Sequence, residues 1–244
     1  MDKNVIIGGT IVGVCEHLIG LAPRSLLDYT QFIHSPAEAS TQMKELVQKR
    51  QLFVGITPYL FGASIAHISL FGCLEQAKKS DSTFINGAWG VAGRLAHDLC
   101  ITPFDTLRQR ANLHKISLDQ VYKNTSRKML FKGYPAAVAM NLPAGAAEFI
   151  VIGLCGKQGI EGWTAALAAG MVSAVITSPI DTIKTCVQAS HNENATFKET
   201  IQCVYNNRGW TGFFRGMHLR CLQTTLTFGC YHTISRWLEK TEWL

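Results

Sequence analysis

His17, His67 and His97 stand inside apolar runs of the chain, His17 beside Glu16 and His97 beside Asp98. His97 lies six residues before Pro103 and His17 six before Pro23, a spacing that puts two imidazoles at one depth on neighbouring units; Ser173 holds the corresponding place before Pro179. Imidazole suits iron, zinc, copper and nickel, and thioether or carboxylate groups complete a loose shell. The candidates for that role are Met140, Cys15, Glu16 and Asp98, with His67 as a further donor. Such a set could bind a divalent transition metal briefly, because a closed four-ligand site would retain its ion. A structural reading competes: a single histidine in an apolar helix commonly makes an interhelical hydrogen bond, Met140 serves as packing, and Cys15 is a small buried thiol. Glu16 and Asp98 resist that reading, since an ionised carboxylate inside a membrane helix is costly unless it lines water or has a partner.

The elements that must position these groups repeat. Thr177-Ser178-Pro179-Ile180-Asp181-Thr182-Ile183-Lys184-Thr185-Cys186-Val187-Gln188 is an apolar segment broken by a proline and followed at once by an acid, a base and a glutamine. Proline removes one helical hydrogen bond and kinks the rod, which makes the stretch a hinge with a charged latch. Pro103, Asp105 and Arg108 stand at the same mutual offsets. A worn copy begins at Ala22-Pro23 and reaches Gln31. Downstream of each lies a second marker: Leu52-Phe53-Val54-Gly55, Leu130-Phe131-Lys132-Gly133 and Phe213-Phe214-Arg215-Gly216. Self-similarity at a fixed period indicates a repeat architecture. It divides the chain into units 1–80, 81–157 and 158–244, each with two apolar segments.

Composition places these segments in a membrane. Of 244 residues, 47% are hydrophobic and only 16% charged, against roughly 25% charged in an average soluble domain. Mean hydropathy is a modest +0.11, so the polar groups within the segments should face a wet, protein-lined interior. The expected helices run over 4–22, 55–77, 85–110, 133–155, 161–186 and 216–237, with polar surface helices over 36–50, 115–128 and 191–207. The fold class that follows is all-α, six transmembrane helices in three pseudo-repeats, with short surface helices between odd and even ones. The first apolar run starts at Val5 and contains Glu16 and His17, which does not read as a cleavable leader. Eight scattered cysteines without C-x-x-C spacing read as reduced thiols. A net charge of +6 comes from dispersed bases between the apolar runs, a pattern of contact with anionic lipid headgroups such as cardiolipin rather than with nucleic acid. No metal-hydrolase spacing, nucleophile elbow or phosphate loop marks an enzyme.

Three Pro-x-acid-x-x-base motifs, each followed by an aromatic-x-Gly element, resemble the mitochondrial carrier family over nearly the whole chain. Within that family the likeness is greatest to its iron carriers, on Gly13-Val14-Cys15-Glu16-His17, Gly62-Ala63-Ser64-Ile65-Ala66-His67, Ala96-His97-Asp98 and Ala139-Met140-Asn141-Leu142-Pro143. The resemblance implies a monomeric, multi-pass, pseudo-threefold barrel in the inner membrane of a mitochondrion or a reduced relative of one. It also implies alternating-access transport with ferrous iron as substrate and no cofactor. In this family substrate choice centres on paired positions seven and eight residues past the aromatic-x-Gly glycine, here Gly62 with Ala63, Met140 with Asn141, and Gln223 with Thr224; His67 joins them. None is arginine, the natural partner of phosphate and carboxylate, which disfavours an anionic metabolite. The metal ligands implied are His17, His97, Met140, Glu16 and Asp98.

The gates implied are Pro103, Asp105, Arg108, Pro179, Asp181, Lys184 and Gln188 at one end, with Asp105–Lys184 the one bridge expected intact, and Glu75 with Lys78 at the other. The first unit departs from the pattern. Counted from Pro23, Ser25 replaces the acid and Asp28 the base; counted from Ala22, Gln31 matches Gln188 but Arg24 takes the acid's place. Two further readings stay open, a carrier of a nucleotide or related metabolite and a non-transporting membrane adaptor, the latter favoured by the broken latches.

Overall fold

A computed structural model describes residues 3–33, 35–49, 51–79, 81–160, 162–190, 192 and 194–240. Among these residues the regular structure is helical throughout. The long helices are α1 (Lys3–Phe32), α3 (Ile56–Lys78), α4 (Thr83–His114), α7 (Tyr134–Lys157), α8 (Trp163–Ala189) and α10 (Met217–Lys240). Between them lie α2 (Pro36–Gln48), α5 (Leu118–Asn124), α6 (Arg127–Leu130), α9 (Phe197–Arg208) and a 3-10 turn (Trp210–Phe214).

The helices run longer than their apolar runs. Pro23, Pro103 and Pro179 lie inside α1, α4 and α8, each removing one backbone bond from a rod that continues, because the polar turns beyond the prolines are buried and paired. The surface helix expected over 115–128 is two helices: Ser117 caps α5 with a capping box, Thr125 is extended, and Ser126 caps α6.

The molecule is turned inside out relative to a soluble protein. Arg24, Asp28, Asp105, Arg108, Asp181 and Gln188 are buried, while Phe61, Phe84, Ile150, Ile152, Leu154 and Trp163 are exposed. An apolar outer surface around a polar interior suits lipid, not water. Four stretches are long and apolar enough to cross a membrane: Lys3–Phe32, Ile56–Ala77, Arg127–Lys157 and Trp163–Ala189. α4 and α10 have the length, 32 and 24 residues, but their many polar residues leave them short of that apolarity, so among the described residues four spans are found where six were expected.

α1 packs on α3, α3 on α4, α7 on α8, α8 on α10 and α10 on α1, with a lighter contact between α4 and α7. α1, α4 and α8 also touch one another. Glycine sets the closest approach: a Cβ on Gly13 of α1 would stand 2.7 Å from the Ala63 carbonyl oxygen of α3. Two of the three marker glycines, Gly55 (φ 77°) and Gly216 (φ 80°), sit in the left-handed region where side chains are strained.

Candidate functional site

The three units dock alike beside their prolines. Ser25 Oγ donates to the Leu52 carbonyl at 2.8 Å, Thr106 Oγ1 to Leu130 at 3.0 Å and Thr182 Oγ1 to Phe213 at 3.0 Å. Each acceptor lies three residues before its marker glycine, and each donor lies three residues after the hinge position. The first hinge position is therefore Ala22, with Pro23 one residue beyond it. Gln31 then matches Gln188, Arg24 stands in the acid's place, and the residue equivalent to His97 and Ser173 is Glu16. His17 and His97 are not repeat equivalents, contrary to the count from Pro23.

The charged groups at this end form one buried network. Arg24 Nη1 donates to Asp181 at 3.0 Å, Arg108 Nη2 to Asp28 at 2.9 Å and Lys184 Nζ to Asp105 at 3.0 Å. The expected Asp105–Lys184 contact is thus one of three that link α1, α4 and α8 in a ring. The first unit does not fail as the sequence implied: its base precedes its acid, and each turns to the neighbour of opposite sign. Arg220 of α10, which the sequence reading did not single out, adds Nη1 to Asp181 at 3.0 Å. Gln31 donates to Asp181 at 2.9 Å and Gln188 to Thr106 at 2.9 Å, and the Arg108 guanidinium lies 5.0 Å from the Tyr59 ring centre. At the opposite end, Glu75 meets Lys79, one residue past the end of α3, at 3.7 Å; the Lys78 side chain lies outside the described residues.

About two turns from the ring, on the N-terminal side of the prolines, is a cavity of about 190 Å³ lined by Glu16, His17, His67, Leu70, Arg94, His97, Glu148, Phe228 and Tyr231. The donor atoms of Glu16, His17 and His67 all lie within 4.8 Å of one another. The His97 ring centre is 4.9 Å from that of His67 and 6.4 Å from that of His17.

The hydrogen bonds of the rings fix which nitrogens face the cavity. His17 Nδ1 is 3.0 Å from the Gly13 carbonyl, and His67 Nδ1 is 3.1 Å from the Ala63 carbonyl, each one turn back. His97 Nδ1 is 3.2 Å from Asp98 Oδ1. Carbonyl and carboxylate oxygens only accept, so each Nδ1 carries the proton, which leaves a lone pair on Nε2 of His17 and of His97 when the ring is neutral. Anchoring one ring nitrogen on an oxygen is how metal-binding histidines are oriented. His67 Nε2 then faces Glu16 Oε2 at 3.0 Å, two acceptors that need a cation between them: a proton, or a metal ion.

Not every sequence-predicted residue joins this cluster. Asp98 supports it from behind, holding His97 and accepting from Asn141 Nδ2. Met140 Sδ lies 3.4 Å from Arg220 Nη2, on the side of the ring. Gly62 and Ala63 are buried at helix contacts, Gly62 against Phe104 of α4 and Ala63 against Gly13 of α1. Thr224 Oγ1 turns back to the Arg220 carbonyl at 2.5 Å. Gln223 sits opposite Gly20, and its buried Oε1 has no partner among the described residues. Glu148 takes a place in the fourth apolar run of the sequence reading but no role, and Arg94 neither, although a charge inside an apolar run is the signal that marks both.

Residues 156–242 match the family model described as mitochondrial carrier protein. The chain is similar to the mitochondrial RNA-splicing proteins MRS4 and MRS3 of Saccharomyces cerevisiae. Identity to MRS4 is 25%, covering 96% of this chain and 91% of the relative; to MRS3 it is 24%, covering 86% and 79%. It is also similar to mitoferrin-1 of Danio rerio, 25% identical over 96% of this chain and 84% of the relative.

Proposed function

We propose that the chain is a member of the mitochondrial carrier family, a family of transporters and not of enzymes, and that it carries a divalent transition metal, ferrous iron foremost, across the mitochondrial inner membrane by alternating access. In this reading all six long helices span the bilayer in three units, 1–80, 81–157 and 158–244, with the inward-turned charges of α4 and α10 lining the interior. The observation that carries the metal assignment is the convergence of one donor atom each from Glu16, His17 and His67 within 4.8 Å, with His97 adjacent. Two donors on one ion at about 2.1 Å stand at most about 4.2 Å apart. The observed set must therefore close slightly on its ion and open again, which suits a cargo that is released. Imidazole with carboxylate favours iron, zinc, copper or nickel over magnesium or calcium. The likeness to relatives named mitoferrin and to the family's iron carriers supports iron among these.

Asp105, Arg108, Asp181 and Lys184, with Arg24 and Asp28, act as the closed gate below the ion. Opening requires these buried pairs to exchange partners or meet water. The adaptor reading rested on broken latches at both ends, and the reversed pair of the first unit removes the support it drew from this one. The nucleotide reading is disfavoured by size, since about 190 Å³ is small beside the roughly 300–1,000 Å³ of pockets for drug-sized ligands. The deciding measurement is uptake of labelled ferrous iron by vesicles reconstituted with wild type and with His17→Ala combined with His97→Ala. Uptake is expected to be abolished in the variant while its unfolding temperature stays close to wild type; unchanged uptake would overturn the ligand assignment.

A further inference from the structure

We propose that Arg94 forms an oxyanion subsite beside the imidazoles, so that the metal is taken up together with a small carboxylate or phosphate ligand. The metal half rests on the reading above; the oxyanion half is separable from it. Arg94, on α4, lines the same cavity as Glu16, His17, His67 and His97. Its side chain is exposed, and it makes no hydrogen bond or ion pair within 4 Å among the described residues. Glu148, the carboxylate that shares the cavity, attracts Arg94 through space without a contact inside 4 Å and accepts from Ser173 Oγ at 3.4 Å.

A guanidinium at this depth is costly unless water or an anion meets it, and beside a bare divalent ion it is repelled. An oxyanion between the two relieves both. The planar fork of arginine takes a carboxylate or phosphate with two parallel hydrogen bonds. The other oxygens of that anion fill coordination positions that the histidines and Glu16 leave open. With Glu16 and Glu148 ionised, a divalent ion plus Arg94 leaves one positive charge in the cavity lining, which a monoanion neutralises. Cavity size restricts the anion to a few heavy atoms beyond the metal.

The full chain in lipid nanodiscs is titrated with Co2+, read by its visible absorption at matched free metal, alone and in separate series with acetate and with inorganic phosphate. The readout is the ratio of apparent Co2+ affinities with and without anion. About tenfold is expected for wild type, as for a typical coupling between two sites, falling to near one in Arg94→Gln and recovering in part in Arg94→Lys. A larger ratio with acetate than with phosphate names the carboxylate as ligand, and the reverse names phosphate. A ratio near one in wild type, or an undiminished ratio in Arg94→Gln, overturns the proposal. If Co2+ binds neither protein, the metal reading falls, and labelled acetate and phosphate binding without metal decides the subsite: loss in Arg94→Gln upholds it, equal binding overturns it.

Discussion

Arg24 of α1 donates to Asp181 of α8 at 3.0 Å, both residues buried, and the same arginine meets Asp28 on its own helix at 3.0 Å. In the other two units the acid occupies the position held here by Arg24, so this bond closes a ring whose first member has its signs exchanged. An ion pair is indifferent to which helix supplies which sign, provided that each buried charge finds its opposite.

Removing one partner of a buried pair strands the other. Arg24→Ala is expected to destabilise the fold by about 3–5 kcal/mol, and Asp181→Ala by more, since it strands Arg24 and Arg220 together. The double variant should cost less than the two added, because the second substitution removes a charge already stranded. Thermal unfolding in detergent measures all three, and additive losses would show that the two residues are not coupled.

Asp98 orients His97 from outside the cavity. Asp98→Asn is expected to weaken Co2+ binding by roughly 10–100-fold, the usual effect of losing a partner that fixes a ligand imidazole. Met140→Leu should have a much smaller effect, because the sulfur faces Arg220. Titration of both variants against wild type separates a supporting carboxylate from a thioether placed elsewhere.

Gly13 holds α1 against α3 where His67 is anchored. A Cβ there would stand 2.7 Å from the Ala63 oxygen and 3.1 Å from His67 Nδ1, so Gly13→Val is expected to cost about 1–3 kcal/mol through overpacking and to weaken metal binding as well. At Gly90 of α4 an added Cβ meets nothing within 4 Å, and Gly90→Ala should stabilise by up to about 1 kcal/mol through helix propensity. Paired melting curves test both, and a neutral Gly13→Val would refute the close-packing account.

Outside the membrane spans, Lys115 and Lys49 hydrogen-bond Glu45 of α2 and hold its carboxyl down at about 2. A carboxylate depressed on folding contributes stability above its ordinary pKa, and loses it as pH falls toward the folded value. Melting temperature should therefore decline between about pH 4.5 and 2, and Glu45→Gln should reduce that decline, tested by melting wild type and variant at each pH. The effect should shrink with added salt, because the pairs are solvent-exposed.

Much of the molecule was legible before its coordinates. Repeated prolines, marker glycines and apolar runs announce helix pairs, because local patterning decides where a rod forms and where it bends. Glu16, His17, His67, His97 and Asp98 stood out because a polar group inside an apolar run needs a reason. The register of the first unit was not legible, since Pro23 is the strongest local marker and misplaces the count by one; only the docking of Ser25 onto Leu52 identifies Ala22.

The chain alone thus determined the helices, their repeat and the kind of atom turned toward the interior, since these follow from the spacing of apolar, polar and helix-breaking residues along one strand of sequence. Tertiary structure decided who pairs with whom. It joined Arg24 to Asp181 and His67 to Glu16, sent Met140 toward Arg220, and set Arg94 in the same cavity as the imidazoles. Electrostatic and coordinating contacts act through a few ångströms of space, and no local pattern encodes the distance between residues that lie many positions apart.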